Sequence, residues 1–171
     1  MKRALQGVAL LAIAIVTIVA LHHGVWLPMR CEANVTRSLD AIDDAATRDD
    51  VARHAAAKYS DAALRGCECL QRTDVKLAYV RGTIQRYRGE SRAAIDSYRR
   101  ALAIDRRPEI YIDLGLAQLD ALDRRSAIES FAIAGSFAPS QLERIPYPDV
   151  RAEAERRIRA TYGEDWLPIS R

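Results

Sequence analysis

The chain has 171 residues, with 26 Lys and Arg, 23 Asp and Glu, and only 6% aromatic side chains. This length suits one domain or a small domain with an appendage, and the low aromatic content favours close-packed helices over a β-sandwich. The net charge of +3 is local, because every acid lies from Glu32 onward and the bases Lys2, Arg3 and Arg30 precede it. Residues 31–171 are therefore electrically balanced, which argues against a nucleic-acid surface, since such a surface needs uncompensated bases.

The first element is predicted to be a membrane-spanning helix over residues 4–27, preceded by a cytoplasmic tip at residues 1–3. Residues 4–21 carry no charge and cover roughly 27 Å as a helix, close to the ~30 Å of a hydrocarbon layer. By the positive-inside bias, Lys2 and Arg3 hold the N-terminus in the cytoplasm. The expected location is thus the inner (cytoplasmic) membrane, crossed once, with the body in the periplasm or its equivalent.

Two other interpretations of this segment stay open: a cleaved signal peptide and a buried globular helix. A signal peptide has a shorter apolar region and a small-residue exit, whereas here the run ends in Ile18-Val19-Ala20. An uncleaved signal anchor fits the pattern better.

Residues 28–73 are predicted to hold a juxtamembrane segment and a degenerate helical hairpin, with helices over 34–47 and 50–65. Asp49 is the expected N-cap of the second helix. At the other end, residues 140–171 are predicted to form a capping helix and tail. Residues 149–162 carry one apolar stripe, which is typical of a helix covering the end of a stack, and Gly163 is the expected stop.

Between these segments the sequence repeats with a period of 33 residues. Gly82 and Gly115 correspond, and so do an alanine, an aromatic residue and a second alanine that follow each glycine. The later pairs are Ala94 with Ala127, Tyr98 with Phe131, and Ala101 with Ala134. The pattern predicts two-helix units in which a small residue lies where the helices cross and an aromatic ring fills the space beside it.

With these residues the chain resembles the tetratricopeptide repeat (TPR) family over residues 74–139, as repeats 75–107 and 108–139. The second repeat matches better, although Tyr111 replaces the usual Trp and Gln118 the usual Tyr. The resemblance implies an all-α fold: the N-terminal transmembrane helix followed by a short TPR-like α-solenoid of antiparallel helix pairs, closed by the capping helix. It also implies a concave partner-binding groove lined by the first helix of each repeat. The groove residues carried over are Lys76, Tyr79, Thr83, Arg86, Tyr87, Glu109, Ile112, Leu116, Leu119 and Asp120. An alternative is that Tyr79 and Leu116 pack against the hairpin or the cap.

The three cysteines form an odd set. An antiparallel hairpin brings the start of its first helix beside the end of its second, so Cys31 is predicted to pair with either Cys67 or Cys69. A Cys67–Cys69 redox pair and a metal site are weaker interpretations, because neither has the required spacing.

No phosphate loop, nucleophile elbow, zinc-helix motif or dinucleotide fingerprint is present in the sequence. We therefore expect no enzyme activity, cofactor, metal or small-molecule substrate. The expected function is a membrane-anchored scaffold that positions a protein partner in an envelope complex. Two alternatives are a small accessory subunit held mainly by its transmembrane helix and a cleaved, soluble periplasmic peptide-binding module.

Overall fold

The fold is all-α, as predicted. The computed structural model describes residues 2–46, 48–65, 67 and 74–163, and within these ranges every regular element is helical. The eight α-helices are α1 (Lys2–Leu21), α2 (Leu27–Ala46), α3 (Asp50–Leu64), α4 (Val75–Tyr87), α5 (Ser91–Ile104), α6 (Pro108–Asp120), α7 (Arg124–Phe137) and α8 (Pro148–Tyr162). A π-helical turn, His22–Trp26, joins α1 to α2, and a 3-10 helix, Pro139–Arg144, precedes α8.

The apolar helix α1, the π-helical turn and α2 form one continuous helical rod. The helix continues past residue 27, the predicted end of the membrane-spanning segment, and the Leu27 N–H bonds to the His22 carbonyl, five residues back. Pro28 explains this turn, because proline has no N–H and its ring crowds the carbonyl four residues earlier. The rod is long and apolar enough to span a membrane, and its side chains from Leu11 to Trp26 are exposed.

The body is a solenoid-like row of antiparallel helix pairs. Each helix from α2 to α7 packs on the next one, α2 also contacts α4, and α4 contacts α6. The hairpin α2–α3 is tied in by a buried cluster that includes Val35, Leu64 and Leu77. The predicted N-cap of α3 is confirmed, since the Asp49 carboxylate accepts a 2.8 Å hydrogen bond from the Ala52 N–H.

The 33-residue period of the sequence corresponds to packing contacts that recur in both two-helix units. A Cβ at Gly82 would lie 2.8 Å from the Tyr98 ring, and one at Gly115 would lie 2.4 Å from the Phe131 ring. The predicted crossing of a small residue against an aromatic ring is thus confirmed in both units. A second contact repeats as well. The hydroxyl of Ser97 donates to Gln85 Oε1 and that of Ser130 donates to Gln118 Oε1, each at 2.7 Å.

The turns between the two helices of each unit also match, but their key residues differ. Gly89 has φ +76° and its equivalent Leu122 has φ +64°. Glycine adopts this left-handed region without cost, whereas an L-residue with a side chain is strained there by about 1–2 kcal/mol. The Leu122 side chain is 93% exposed and gains almost no burial in return.

Leu122→Gly is therefore expected to raise the free energy of unfolding by about 0.5–1 kcal/mol, the relief of strain being partly offset by the greater freedom of glycine in the unfolded chain. Urea unfolding followed by circular dichroism would measure this. The matched variant Gly89→Ala should shift stability the other way. A loss of stability in Leu122→Gly would show that the leucine makes a contact worth more than its strain.

The predicted capping helix is confirmed as α8. Its stripe of Val150, Ala154 and Ile158 is buried in one cluster with Phe131 and other residues of α6 and α7. Gly163, at φ +94°, ends the helix as expected. The cap thus covers the last unit, and the buried cluster that it joins includes Ile112 and Leu116 of the predicted groove.

Candidate partner-binding cleft

A polar cleft of about 480 Å³ opens where the start of α3 meets the ends of α4 and α6. Helix α3 contributes its first two turns, α4 its last turn and the following glycine, and α6 its last residue. The lining residues are Asp50, Arg53, His54, Arg86, Tyr87, Gly89 and Asp120.

Two ion pairs organise the cleft. The Arg86 Nε donates to Asp120 Oδ2 at 2.8 Å and links α4 to α6, while Arg53 pairs with Asp50 within α3. The contact with Arg53 lowers the pKa of the Asp50 carboxyl. His54 Nδ1 lies 2.8 Å from the Asp50 backbone carbonyl, which makes Nδ1 the protonated nitrogen of that contact. The cleft thus presents two guanidinium groups, each held by one carboxylate.

A second polar bridge joins α4 to α6 deeper in the fold. The Tyr79 hydroxyl donates to Asp113 Oδ2 at 2.7 Å, and Arg144 approaches Asp113 Oδ1 at 3.4 Å. Asp113 is only 7% exposed, and this burial raises its pKa despite the nearby Arg144 guanidinium. Burial, with the Asp113 charge close by, also raises the pKa of the Tyr98 hydroxyl well above its usual value. Asp113 therefore ties α4, α6 and the 3-10 helix together at an electrostatic cost.

This cost predicts a pH dependence of stability. Because the pKa of Asp113 is raised on folding, the native state binds more protons than the unfolded state just above pH 4, and stability falls as pH rises through that window. Asp113→Asn removes the titration but keeps an acceptor for Tyr79. The free energy of unfolding of Asp113→Asn minus that of the wild type should therefore increase with pH from about 4 and then level off. A difference that is flat in pH would contradict the raised pKa.

The predicted groove residues fall into four environments. Arg86, Tyr87 and Asp120 line the cleft together, whereas Lys76 and Glu109 are exposed near the starts of α4 and α6. Tyr79 and Thr83 belong to the bridge between helices, where Thr83 accepts a 3.1 Å hydrogen bond from the Tyr98 hydroxyl. The members that lie in or against the core of the last unit are Ile112, Leu116 and Leu119.

The aliphatic half of the predicted groove is therefore not an open surface. Ile112 is fully buried and Leu116 is 9% exposed, because both belong to a buried cluster with residues of α7, the 3-10 helix and α8, and the 3-10 helix packs directly on α6. For Leu116 the structure agrees with the alternative of packing against the cap. What remains accessible is the polar cleft at the other end of α6.

Several of the site residues were not singled out from the sequence. They are Asp50, Arg53 and His54 in the cleft and Asp113 in the bridge. A signal existed for the bridge, because Tyr79 with Asp113 and Arg86 with Asp120 are both 34 residues apart, one more than the repeat period. The α3 residues carry no such signal, since their hairpin lies outside the period.

The structure joins Cys31 to Cys67 in a disulfide, one of the two predicted pairings. Both cysteines are buried at the open end of the α2–α3 hairpin. Cys69, the other candidate partner, lies outside the described residues. Within the part of the chain that the structure describes, no group of three or more His, Cys, Asp or Glu residues is placed to hold a metal ion.

Comparisons with known proteins leave the fold and the cleft as the basis for any functional conclusion. No protein-family model, no curated protein and no solved structure matches this chain.

Proposed function

We propose that this protein is a non-catalytic, membrane-anchored scaffold whose TPR-like helix pairs bind a segment of a partner protein in an extracytoplasmic envelope complex. The observation that carries the proposal is the cleft at the ends of α4 and α6. It is formed by three helices from three successive pairs, so its shape depends on the stacking of the whole body. Peptide-binding solenoids use surfaces of this kind, where each stacked unit contributes a few side chains.

The charged groups of the cleft favour binding of a partner segment over catalysis. Arg53 and Arg86 are already held by carboxylates, so their guanidinium groups are oriented before any partner arrives. Preorganised side chains lose little conformational entropy on association, which improves affinity and specificity. An extended segment that carries its own polar groups would exchange hydrogen bonds with these ion pairs. It would also pack against the Tyr87 ring beside them.

The orientation of the body is supported by two independent features. Lys2 and Arg3 precede the apolar rod, and such bases usually stay in the cytoplasm. The helices after α1 contain the Cys31–Cys67 disulfide, and disulfides persist in oxidising compartments such as the periplasm. Both features favour an inner-membrane protein with its helix pairs outside the cytoplasm.

A photo-crosslinking amino acid at position 87 of the full chain, in its native membrane, tests the cleft. We expect it to capture a defined partner protein, identified by mass spectrometry, and Arg86→Gln should reduce that capture about tenfold by removing a charge-assisted contact. Lys76→Gln is the matched control, because Lys76 is an exposed base on the same helix outside the cleft. Equal capture by Arg86→Gln and wild type would rule out this cleft as the binding site.

The accessory-subunit alternative is favoured by one observation, the row of exposed apolar side chains on α1. In lipid, a helix with small residues every four positions can pack closely on another helix, and this rod has such a row. In the sequence the row is Ala4, Val8, Ala12, Val16, Ala20 and Gly24, and the structure shows its members from Ala12 onward to be exposed. Exchange of α1 for an unrelated apolar span should release the protein from its complex under this alternative and leave it bound under the scaffold proposal.

A further inference from the structure

Three side chains stack along the rod where its apolar run ends. The His22 and Trp26 ring centroids are 5.2 Å apart, and the Arg30 guanidinium carbon lies 5.3 Å from the centroid of the Trp26 ring. All three residues are exposed. They follow one another at intervals of four residues and occupy roughly 12 Å of helix. We call this group the interface stack.

The interface stack holds a cation without using up its hydrogen-bond donors. A cation–π contact occupies no conventional hydrogen-bond donor, so the contact with Trp26 leaves the N–H groups of Arg30 able to bind an anion. Those N–H groups form a planar fork whose spacing fits two oxygens of a phosphate or carboxylate. In addition, no acidic residue precedes Glu32 in the sequence, so no carboxylate lies between Arg30 and the apolar run.

The anions nearest to the interface stack would be lipid phosphates. With residues 4–21 in the hydrocarbon layer, the stack begins at the outer headgroup level, where tryptophan is the commonest anchor. The π-helical turn lies at the same level, where water can satisfy carbonyls that an ideal helix would pair. The charge of Arg30, the fork geometry of its N–H groups and the depth of the interface stack therefore all fit a lipid phosphate.

We propose that the interface stack binds the phosphate of an anionic phospholipid in the outer leaflet and thereby fixes the height of the body above the membrane. This inference rests on the membrane-spanning role of the rod in the proposed function. Arg30 supplies the two-pronged phosphate contact, Trp26 holds the guanidinium in place, and His22 packs against the ring from the hydrocarbon side. An anionic headgroup is preferred over a choline headgroup because it brings no ammonium group into this basic surface.

The test uses the full chain in nanodiscs that contain equal parts of phosphatidylcholine and phosphatidylglycerol. Native mass spectrometry of the released protein should show retained phosphatidylglycerol in excess over phosphatidylcholine. Arg30→Gln is expected to lower that excess about fivefold, the effect of one base near an anionic surface. Arg37→Gln is the matched control, because Arg37 is exposed on the same helix and nearly the same face but lies two turns further from the apolar run.

The proposal is overturned if Arg30→Gln retains as much phosphatidylglycerol as the wild type, or if Arg37→Gln loses as much. It is also overturned if an excess of inorganic phosphate displaces the lipid, since the site would then bind free anions. Intact disulfide mass and unchanged helicity verify that each variant is folded. Failure of the membrane-spanning role in the proposed function would look different, because alkaline carbonate would then extract the wild-type chain from membranes.

Discussion

Gly115→Ala is expected to lower the free energy of unfolding by about 2–3 kcal/mol, because overpacking a tight helix crossing forces side chains or backbone to move. The added Cβ would lie 2.4 Å from Phe131 Cε1, with two further ring atoms within 2.8 Å. Phe131 is fully buried, so its ring can move only if the side chains packed around it move as well. Thermal or urea unfolding of the full chain in detergent, followed by circular dichroism, would measure the loss.

Two variants calibrate this result. Gly24→Ala should leave stability nearly unchanged, because no heavy atom lies within 4 Å of the position a Cβ would take there. The double variant Gly115→Ala with Phe131→Leu should recover part of the stability lost, since a smaller side chain makes room for the Cβ. If the double variant lost more free energy of unfolding than the two single variants lost together, the crossing would not be the source of the strain.

Removal of the disulfide is expected to have the largest effect on stability. Replacement of Cys31 and Cys67 by alanine releases a link between residues 36 apart in sequence, and the entropy of a loop of that length is worth about 3–4 kcal/mol. The loss should fall on the α2–α3 hairpin, whose open end the disulfide closes. Limited proteolysis within that hairpin, together with unfolding measurements, would locate and quantify it.

A reducing agent provides the control for this prediction. It should destabilise the wild type to about the level of the double variant and leave the double variant unchanged. The single change Cys69→Ala distinguishes the two pairings that the sequence left open. If Cys69→Ala destabilised the protein as much as Cys31→Ala, the bond in solution would be Cys31–Cys69.

The parts of the fold that could be predicted are those in which one residue type has one physical use. Gly115 opposite Phe131 shows this, because only a residue without a side chain permits the crossing, and the period of 33 residues reveals it twice. Asp49 as an N-cap and the stripe on α8 are local patterns of the same kind. These signals lie within one helix or one helix pair, so the sequence displays them directly.

The site was harder to predict because it depends on which surfaces remain open after stacking. Ile112 looks like a groove residue by its place in the repeat, yet it is completely buried in the cluster that the last unit forms with the 3-10 helix and α8. Arg53 looks like an ordinary charged residue on a helix, yet it lies in the same cleft as Arg86 on another helix. From the sequence, the first hairpin helix is predicted at residues 34–47, whereas α2 begins at Leu27 and continues directly from α1 through the π-helical turn.

That continuity has a consequence for how the cleft faces its surroundings. With α1 in the membrane as proposed, a rotation of the anchor about its own axis turns the body by the same angle, because the rod has no joint between them. One alanine inserted after Met29 would swing the cleft by about 100° around the membrane normal, whereas seven would return it nearly to its original heading about 10 Å further out. On the proposed topology, the direction in which the cleft faces around the membrane normal is thus set by the number of helical residues between the bilayer and the body.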